Sequence, residues 1–321
     1  MKRIGFAIYV FFACAAVTRA QTDDAMLNQY FTALNYYNPA YAGKSGEVNL
    51  TGLYRMQWLG VTNAPRSALI AADMPWQYGK MQQGIGVVVV SESIGLDQNL
   101  NIGLQYAYRR KLGKGTLSIG LQAGMLNKTF RGDSISIPSG SEAVTPDDEA
   151  ITKSELDAMG IDVAIGAMYS SDRYFVGIAA AHMLAPTLTL DENTERKIER
   201  SFNLTAGYNI QLKNTLFELQ PSMLVLTNLQ MVSTDLTARA VYNKMYNGGL
   251  GIRISDSGKF NAATLYLGAL IKGFRIGYAY EFPTSAMNSA SMGSHELLVS
   301  YHLKLNSKKG LKNRHKSIRI L

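Results

Sequence analysis

The stretch Asn99-Leu100-Asn101-Ile102-Gly103-Leu104-Gln105-Tyr106-Ala107-Tyr108-Arg109 decides the fold. Leu100, Ile102, Leu104, Tyr106 and Tyr108 share one parity; Asn99, Asn101, Gly103, Gln105, Ala107 and Arg109 share the other. A strand sends successive side chains to opposite faces, so this is a two-faced strand of period two. A helix would repeat apolar residues at three-to-four spacing, which is absent. Residues 202–211 repeat the pattern, with Phe202, Leu204, Ala206, Tyr208 and Ile210 opposite Asn203, Thr205, Gly207, Asn209 and Gln211. Residues 274–281 do so again, with Phe274, Ile276, Tyr278 and Tyr280 opposite Arg275, Gly277, Ala279 and Glu281.

Outward from these, the chain reads as about fourteen such segments: 47–55, 66–73, 84–92, 99–110, 115–127, 161–170, 174–183, 200–210, 215–225, 235–242, 247–254, 260–270, 272–281 and 294–304. Most reach the roughly 9–11 residues that a tilted strand needs to cross a bilayer. Joins alternate in length: 111–114, 171–173, 211–214, 243–246 and the join near Ile271 are short, whereas 128–160, 184–199, 226–234 and 282–293 are longer. Outer-membrane barrels have short periplasmic turns and longer outer loops. The join at 74–83 breaks the alternation, being long where a short turn is expected.

A soluble β-sandwich would also alternate. Here the polar faces are mostly Gly, Ala, Ser, Asn and Gln rather than Lys and Glu, which suits a lumen better than a solvated surface. Tyrosine numbers 18 and clusters near strand ends, where an apolar ring and a wet hydroxyl suit the headgroup zone. In lipid every backbone polar group must be paired, so strands there must close. The expectation is an all-β, transmembrane, antiparallel up-and-down β-barrel of about 14 strands.

Both ends differ from this body. Lys2 and Arg3 precede an apolar run from Ile4 to Val17 and the small-residue end Thr18-Arg19-Ala20. That is the form of a secretory signal peptide, too short to span a bilayer. Cys14, the one cysteine, lies within it, so neither an internal disulfide nor a cysteine zinc site is available. The division expected is 1–20 signal peptide, 21–46 periplasmic N-terminal segment packed under or into the lumen, 47–304 outer-membrane barrel and 305–321 basic periplasmic tail. Of the formal +8, Lys2, Arg3 and Arg19 belong to the signal, which leaves 29 basic residues against 24 acidic ones. Lys304, Lys308, Lys309, Lys312, Arg314, Lys316 and Arg319 close the chain, and without them the barrel is near neutral. Nucleic-acid binding loses its support on that distribution.

Signals for chemistry are thin. Gly132-Asp133-Ser134-Ile135 is similar to the start of a GDSL-type esterase block, but nothing local supplies a triad partner. His182, His295, His302 and His315 show no metal-ligand spacing, and His295 and His302 fall on opposite faces of the last strand. Asp147, Asp148, Glu149 and Glu155 lack the ligand rhythm of a calcium loop. Gly84-Ile85-Gly86 precedes a strand rather than a helix and lacks a third glycine. The expectation is no enzyme, no cofactor and no metal.

One block is not strand-like: Gln29-Tyr30-Phe31, then Tyr36-Tyr37-Asn38-Pro39-Ala40-Tyr41-Ala42-Gly43, where Asn-Pro and Ala-Gly are turn chemistry. Followed by Leu53-Tyr54-Arg55-Met56-Gln57-Trp58 and Ala64-Pro65, it resembles the start of the PorP/SprF family. Arg275-Ile276-Gly277-Tyr278-Ala279-Tyr280-Glu281 and Gly293-Ser294-His295-Glu296 agree at the end. Gly177 to Pro186 and Gln220-Pro221-Ser222 fit more loosely. The likeness runs through the mature chain to about Leu305. It implies an outer-membrane barrel of the type IX secretion system of Bacteroidota, serving export, surface attachment or gliding function of adhesins with C-terminal sorting domains. Some members associate instead with the periplasmic core of the machine through a partner lipoprotein. The basic tail and the long 128–160 loop depart from the pattern.

The candidate interaction or structural residues are Tyr37, Asn38, Pro39, Tyr41, Gly43, Tyr54, Arg55, Gln57, Trp58, His295 and Glu296. The expected partners are outer-membrane lipid and either a secreted adhesin or periplasmic secretion components. The rival function is a channel or transporter for small solutes, since fourteen strands enclose a lumen unless it is plugged.

Overall fold

The structure, a computed structural model, describes residues 24–79, 81–132, 155–191, 194–214, 216–255, 258–284 and 287–304. The predicted signal peptide, Ser134, Asp147, Asp148, Glu149 and the tail from Leu305 lie outside the described residues. A short helix α1 (Leu34–Tyr37) and a 3-10 turn (Pro39–Tyr41) precede the strands. Then come β1 (Val48–Met56), β2 (Arg66–Tyr78), β3 (Met81–Ile94), β4 (Asp97–Leu112), β5 (Gly115–Arg131), β6 (Glu155–Ser170) and β7 (Tyr174–Ala181). A small hairpin, β8 (Thr187–Asp191) and β9 (Thr194–Lys197), follows. The wall resumes with β10 (Ser201–Tyr208), the two-residue β11 (Ile210–Gln211), β12 (Phe217–Thr227), β13 (Val232–Tyr242) and β14 (Tyr246–Ser255). It ends with β15 (Lys259–Ile271), β16 (Phe274–Pro283), a short helix α2 (Met287–Ala290) and β17 (Ser294–Leu303).

Neighbours pair antiparallel in chain order, β7 joins β10 past the β8–β9 hairpin, β10 joins β12 past the two-residue β11, and β1 pairs with β17 from Val48↔Leu303 to Met56↔His295. The result is a closed 14-strand antiparallel barrel, with no sheet edge left to water or lipid. The parity read from residues 99–109 becomes geometry. Leu104 is 66% exposed and faces outward, while Ala107 is 0% exposed and faces the lumen. Ile70, Ile119, Ile161, Ile178, Leu250 and Leu267 are exposed on the same outer surface. A soluble sandwich would bury this apolar face, and here it is the outside. At the short-turn end, outward rings pack in pairs, as in Tyr174–Tyr208 at 6.4 Å, Phe217–Tyr242 at 4.8 Å and Phe274–Tyr301 at 4.5 Å. They form one aromatic girdle of the membrane band.

The join expected at 74–83 is corrected. β2 runs to Tyr78 and β3 begins at Met81, so the strands themselves fill the interval and a tight turn at Gly79 (φ +60°) remains. Gly84 and Gly86 are accordingly inside β3. The 128–160 loop is also shorter than expected, because β5 extends to Arg131 and β6 starts at Glu155. At 74–83 the run Met81-Gln82-Gln83-Gly84 blurs the alternation, and at 128–160 the polar strand ends Lys128-Thr129 and Glu155 to Asp157 do so, while backbone pairing continues through both. Within 184–199, the β8–β9 hairpin folds over the wall, and its Leu188 and Ile198 pack on the inward-facing Leu126 and Ala158 near the outer rim.

Candidate functional site

Residues 24–43 occupy the lumen, and Lys44, Ser45 and Gly46 at the foot are exposed. From β1 the segment runs back up the barrel, meeting Asp73 and Met74 near the foot and Glu296, Ser201 and His182 toward the outer rim. Expected at the periplasmic face, packed under or into the lumen, it is found inside the barrel. Glycines make room for it. A Cβ on Gly84 would strike the Ala42 carbonyl, one on Gly120 the Pro39–Ala40 peptide, one on Gly166 the Asn38 side chain and one on Gly277 the Gln29 amide. The small inward residues of a lumen face are therefore a fitted cradle at these points.

The Tyr37–Gly43 block supplies the contacts. The Tyr37 hydroxyl accepts from Leu27 N (3.0 Å) and donates to Ala25 O (3.1 Å), tying the segment to itself, and its carbonyl accepts from Asn203 Nδ2 at 2.5 Å. Asn38 Nδ2 reaches the carbonyls of Ala167 and Ile178, both at 3.1 Å, between β6 and β7. Its Oδ1 accepts from Ala40 N at 2.9 Å and so caps the turn in which Pro39 holds the first position. Tyr41 packs edge-on against Phe175, with ring centroids 5.7 Å apart, and its hydroxyl lies 3.4 Å from Thr205 Oγ1. Gly43 has φ +66°, donates to Asp73 Oδ2 at 2.7 Å and lies against the Met74 carbonyl, so both backbone shape and space require glycine.

Arg55 and Glu296 belong to a buried ionic network that fastens the other end. Arg55 Nη2 donates to both Glu281 oxygens at 3.0 Å, and its Nη1 is 3.6 Å from Glu296. Arg253 grips Asp235 with Nε (2.7 Å) and Nη2 (3.0 Å), and reaches Glu281 with Nη1 (3.0 Å). The segment completes the network. Asn28 N and Gln29 N each donate to Glu296 at 2.7 Å, and Arg253 Nη2 donates to Asn28 Oδ1 at 3.1 Å. Two guanidiniums and three carboxylates would be costly to bury alone, and the two backbone N–H groups offset the surplus negative charge.

A second fastening lies at Asp24. His182 Nε2 is 3.1 Å from Asp24 Oδ1 and its Nδ1 is 3.0 Å from Asp162 Oδ2, while Ser201 Oγ donates to Asp24 Oδ2. Burial alone would lower the His182 pKa, but the two carboxylates outweigh it and push it up to about 10. Burial likewise works to raise Asp24, and the His182 charge with its hydrogen bond holds it below the ordinary value. The pair is ionised at neutral pH.

Of the eleven residues singled out by sequence, seven therefore meet in the lumen. The rest do not join them. Tyr54 is 42% exposed on the lipid-facing side of β1. His295 also faces outward, its Nδ1 2.6 Å from the Tyr278 hydroxyl, opposite in sense to His302, whose Nδ1 is 2.6 Å from Asn49 Oδ1. Gln57 and Trp58 follow β1 at the outer rim, where Gln57 N donates to Pro65 O (2.9 Å) and Trp58 N to Ser294 Oγ (3.3 Å). Asp24, Asp162, His182, Asp235 and Arg253 were not singled out as site residues. Their signal was present in part, since a charge on the small-residue parity of a membrane strand must face the lumen. Among the described residues no group of three or more His, Cys, Asp or Glu side chains is arranged to hold a metal ion.

The fold and its filled lumen define a class: an outer-membrane β-barrel plugged by its own N-terminal segment. The family of type IX secretion system membrane proteins PorP/SprF matches residues 19–301. The chain belongs to that family, which is a family of secretion-system membrane proteins and not of enzymes. No curated protein is similar enough in sequence to match it. Among solved structures, the Pseudomonas putida toluene transporter TodX aligns at TM-score 0.49 and 9% identity, covering 88% of this chain and 95% of its own. The Acinetobacter baumannii outer membrane protein Omp33 aligns at 0.47 and 6%, covering 81% and 98%. Haemophilus ducreyi BamA lacking POTRA domains 1–3 aligns at 0.43 and 8%, covering 80% and 70%. Likeness at this level says nothing about what this barrel carries or binds.

Proposed function

We propose that this barrel is a docking component of the type IX secretion system, supporting export or surface attachment of adhesins with C-terminal sorting domains through protein–protein contact and without covalent chemistry. The signal peptide is removed after Ala20, leaving a mature chain without cysteine that resides in the outer membrane. The observation that carries the reading is the occupied lumen: a segment held by Glu296, Arg253 and Asn203 of the wall, and by its own Asn38 on the Ala167 and Ile178 carbonyls, is built as a fixed part of the barrel. The alternative, a channel or transporter for small solutes, requires that segment to leave. Deleting the gene tests the proposal. Adhesins with C-terminal sorting domains should then accumulate in the cell or be shed, and normal surface display of every such protein would contradict it. Pull-down of the protein from detergent extracts distinguishes an adhesin sorting domain from a periplasmic lipoprotein as the partner.

A further inference from the structure

The short turns carry a charge pattern that the barrel itself does not use. Lys114 after β4, Arg173 before β7, Lys213 between β11 and β12, Lys244 before β14, Lys272 before β16 and Lys304 after β17 are all exposed. None has an ion-pair partner among the described residues. Asp172 is the one acid among the described residues of these turns. Lys244 (φ +54°) and Lys272 (φ +51°) hold left-handed positions, where asparagine or glycine is the unstrained choice. The outer ends of the strands differ: there Asp97, Glu155, Asp157, Asp191, Glu195 and Glu199 balance Arg66, Arg131, Arg196, Lys197 and Arg200.

Inside the mouth, further cations stand among the acids Glu47, Asp73 and Glu218. Arg275 faces inward from β16, half-buried, with no hydrogen-bond or ion-pair partner among the described residues. Arg239 faces inward from β13 over the Phe31 ring (3.6 Å); one nitrogen donates to Gln220 Oε1 at 3.0 Å and its buried Nε has no acceptor. Lys44, at the foot of the plug, rests its ammonium on the Tyr41 and Phe175 rings at 4.9 and 4.6 Å. Lipid headgroups surrounding the barrel reach the turn lysines but not side chains that point into the lumen. A ligand that meets both sets lies across the mouth.

We propose that the periplasmic mouth is a docking surface for a protein presenting clustered Asp and Glu side chains. The proposal rests on the docking reading above and names the chemistry of the partner. The ring of turn charges would steer and register such a surface, and the inward arginines would fix its centre.

The test uses the full chain in zwitterionic nanodiscs with a fluorescent polyglutamate peptide as probe. The wild type should bind it and polylysine should not, and raising salt from about 50 to about 300 mM should weaken binding roughly tenfold. Combining Lys114→Gln, Arg173→Gln, Lys213→Gln, Lys244→Asn and Lys272→Asn should weaken binding by a similar factor while the barrel keeps its heat-modifiable folded form. Arg275→Gln alone should also weaken it. Absent binding by the wild type, or equal binding by wild type and turn variant, overturns the proposal. Unchanged binding by Arg275→Gln overturns the mouth-spanning geometry. Adhesin export is not read in this assay. A failure here therefore removes the acidic partner alone, whereas normal adhesin display in the deletion strain removes the docking reading alone.

Discussion

Glu296 is the residue on which wall and plug converge. It accepts two backbone N–H groups of the segment and faces Arg55. Glu296→Leu strips the acceptor from the buried N–H groups of Asn28 and Gln29 while Arg55 keeps Glu281, a loss of about 1–3 kcal/mol for each donor left unsatisfied. The expected outcome is a clear fall in the temperature at which the folded band converts to the unfolded one on gels, with a smaller fall for Glu296→Gln. Asp24 and His182 add a pH dependence. The His182 pKa is raised, so its contribution is full below the unfolded value of 6.5 and is lost as pH rises through about 10. The Asp24 pKa is lowered, so its contribution is full above the ordinary 3.8 and is lost as pH falls through its folded value. The stability gap between wild type and His182→Gln should therefore be widest between the unfolded values of 3.8 and 6.5, shrink as pH rises from there, and close above pH 10. Little of this was legible in the sequence. Parity places Asp235 and Arg253 on the lumen side, but only closure brings β13, β14, β16, β17 and β1 together around one carboxylate.

At the scale of elements, the strands were readable and the plug was readable only as an exception. Alternation in β4, β10 and β16 follows from a lipid face that tolerates no charge and a lumen face that tolerates no bulk where the segment passes. The Tyr37–Gly43 block resists that alternation because it builds a turn, not a strand. Its destination in the lumen depends on glycines spread over β3, β5, β6 and β16, which no local pattern connects. Gly120→Leu places a side chain where the Pro39–Ala40 peptide lies. It should displace the segment while the barrel still assembles. An Ala33→Cys probe, at a site 0% exposed in the wild type, should then react with a bulky maleimide, and only in the Gly120→Leu background.

For the whole molecule, near-neutral charge conceals polarity. Carboxylates gather in the half of the lumen away from the short turns at Asp24, Asp162, Asp235, Glu281 and Glu296, and cations with no ion-pair partner among the described residues gather at the short turns. Aromatic pairs mark the membrane boundary just above those turns. A barrel of this size encloses a lumen wide enough for solutes, so what the protein does depends on whether the N-terminal segment stays in place. Conductance in planar bilayers measures that directly. The full chain should give no steady open level, and the variant lacking residues 24–43 should give a large one. A large, steady pore from the full chain would contradict the account.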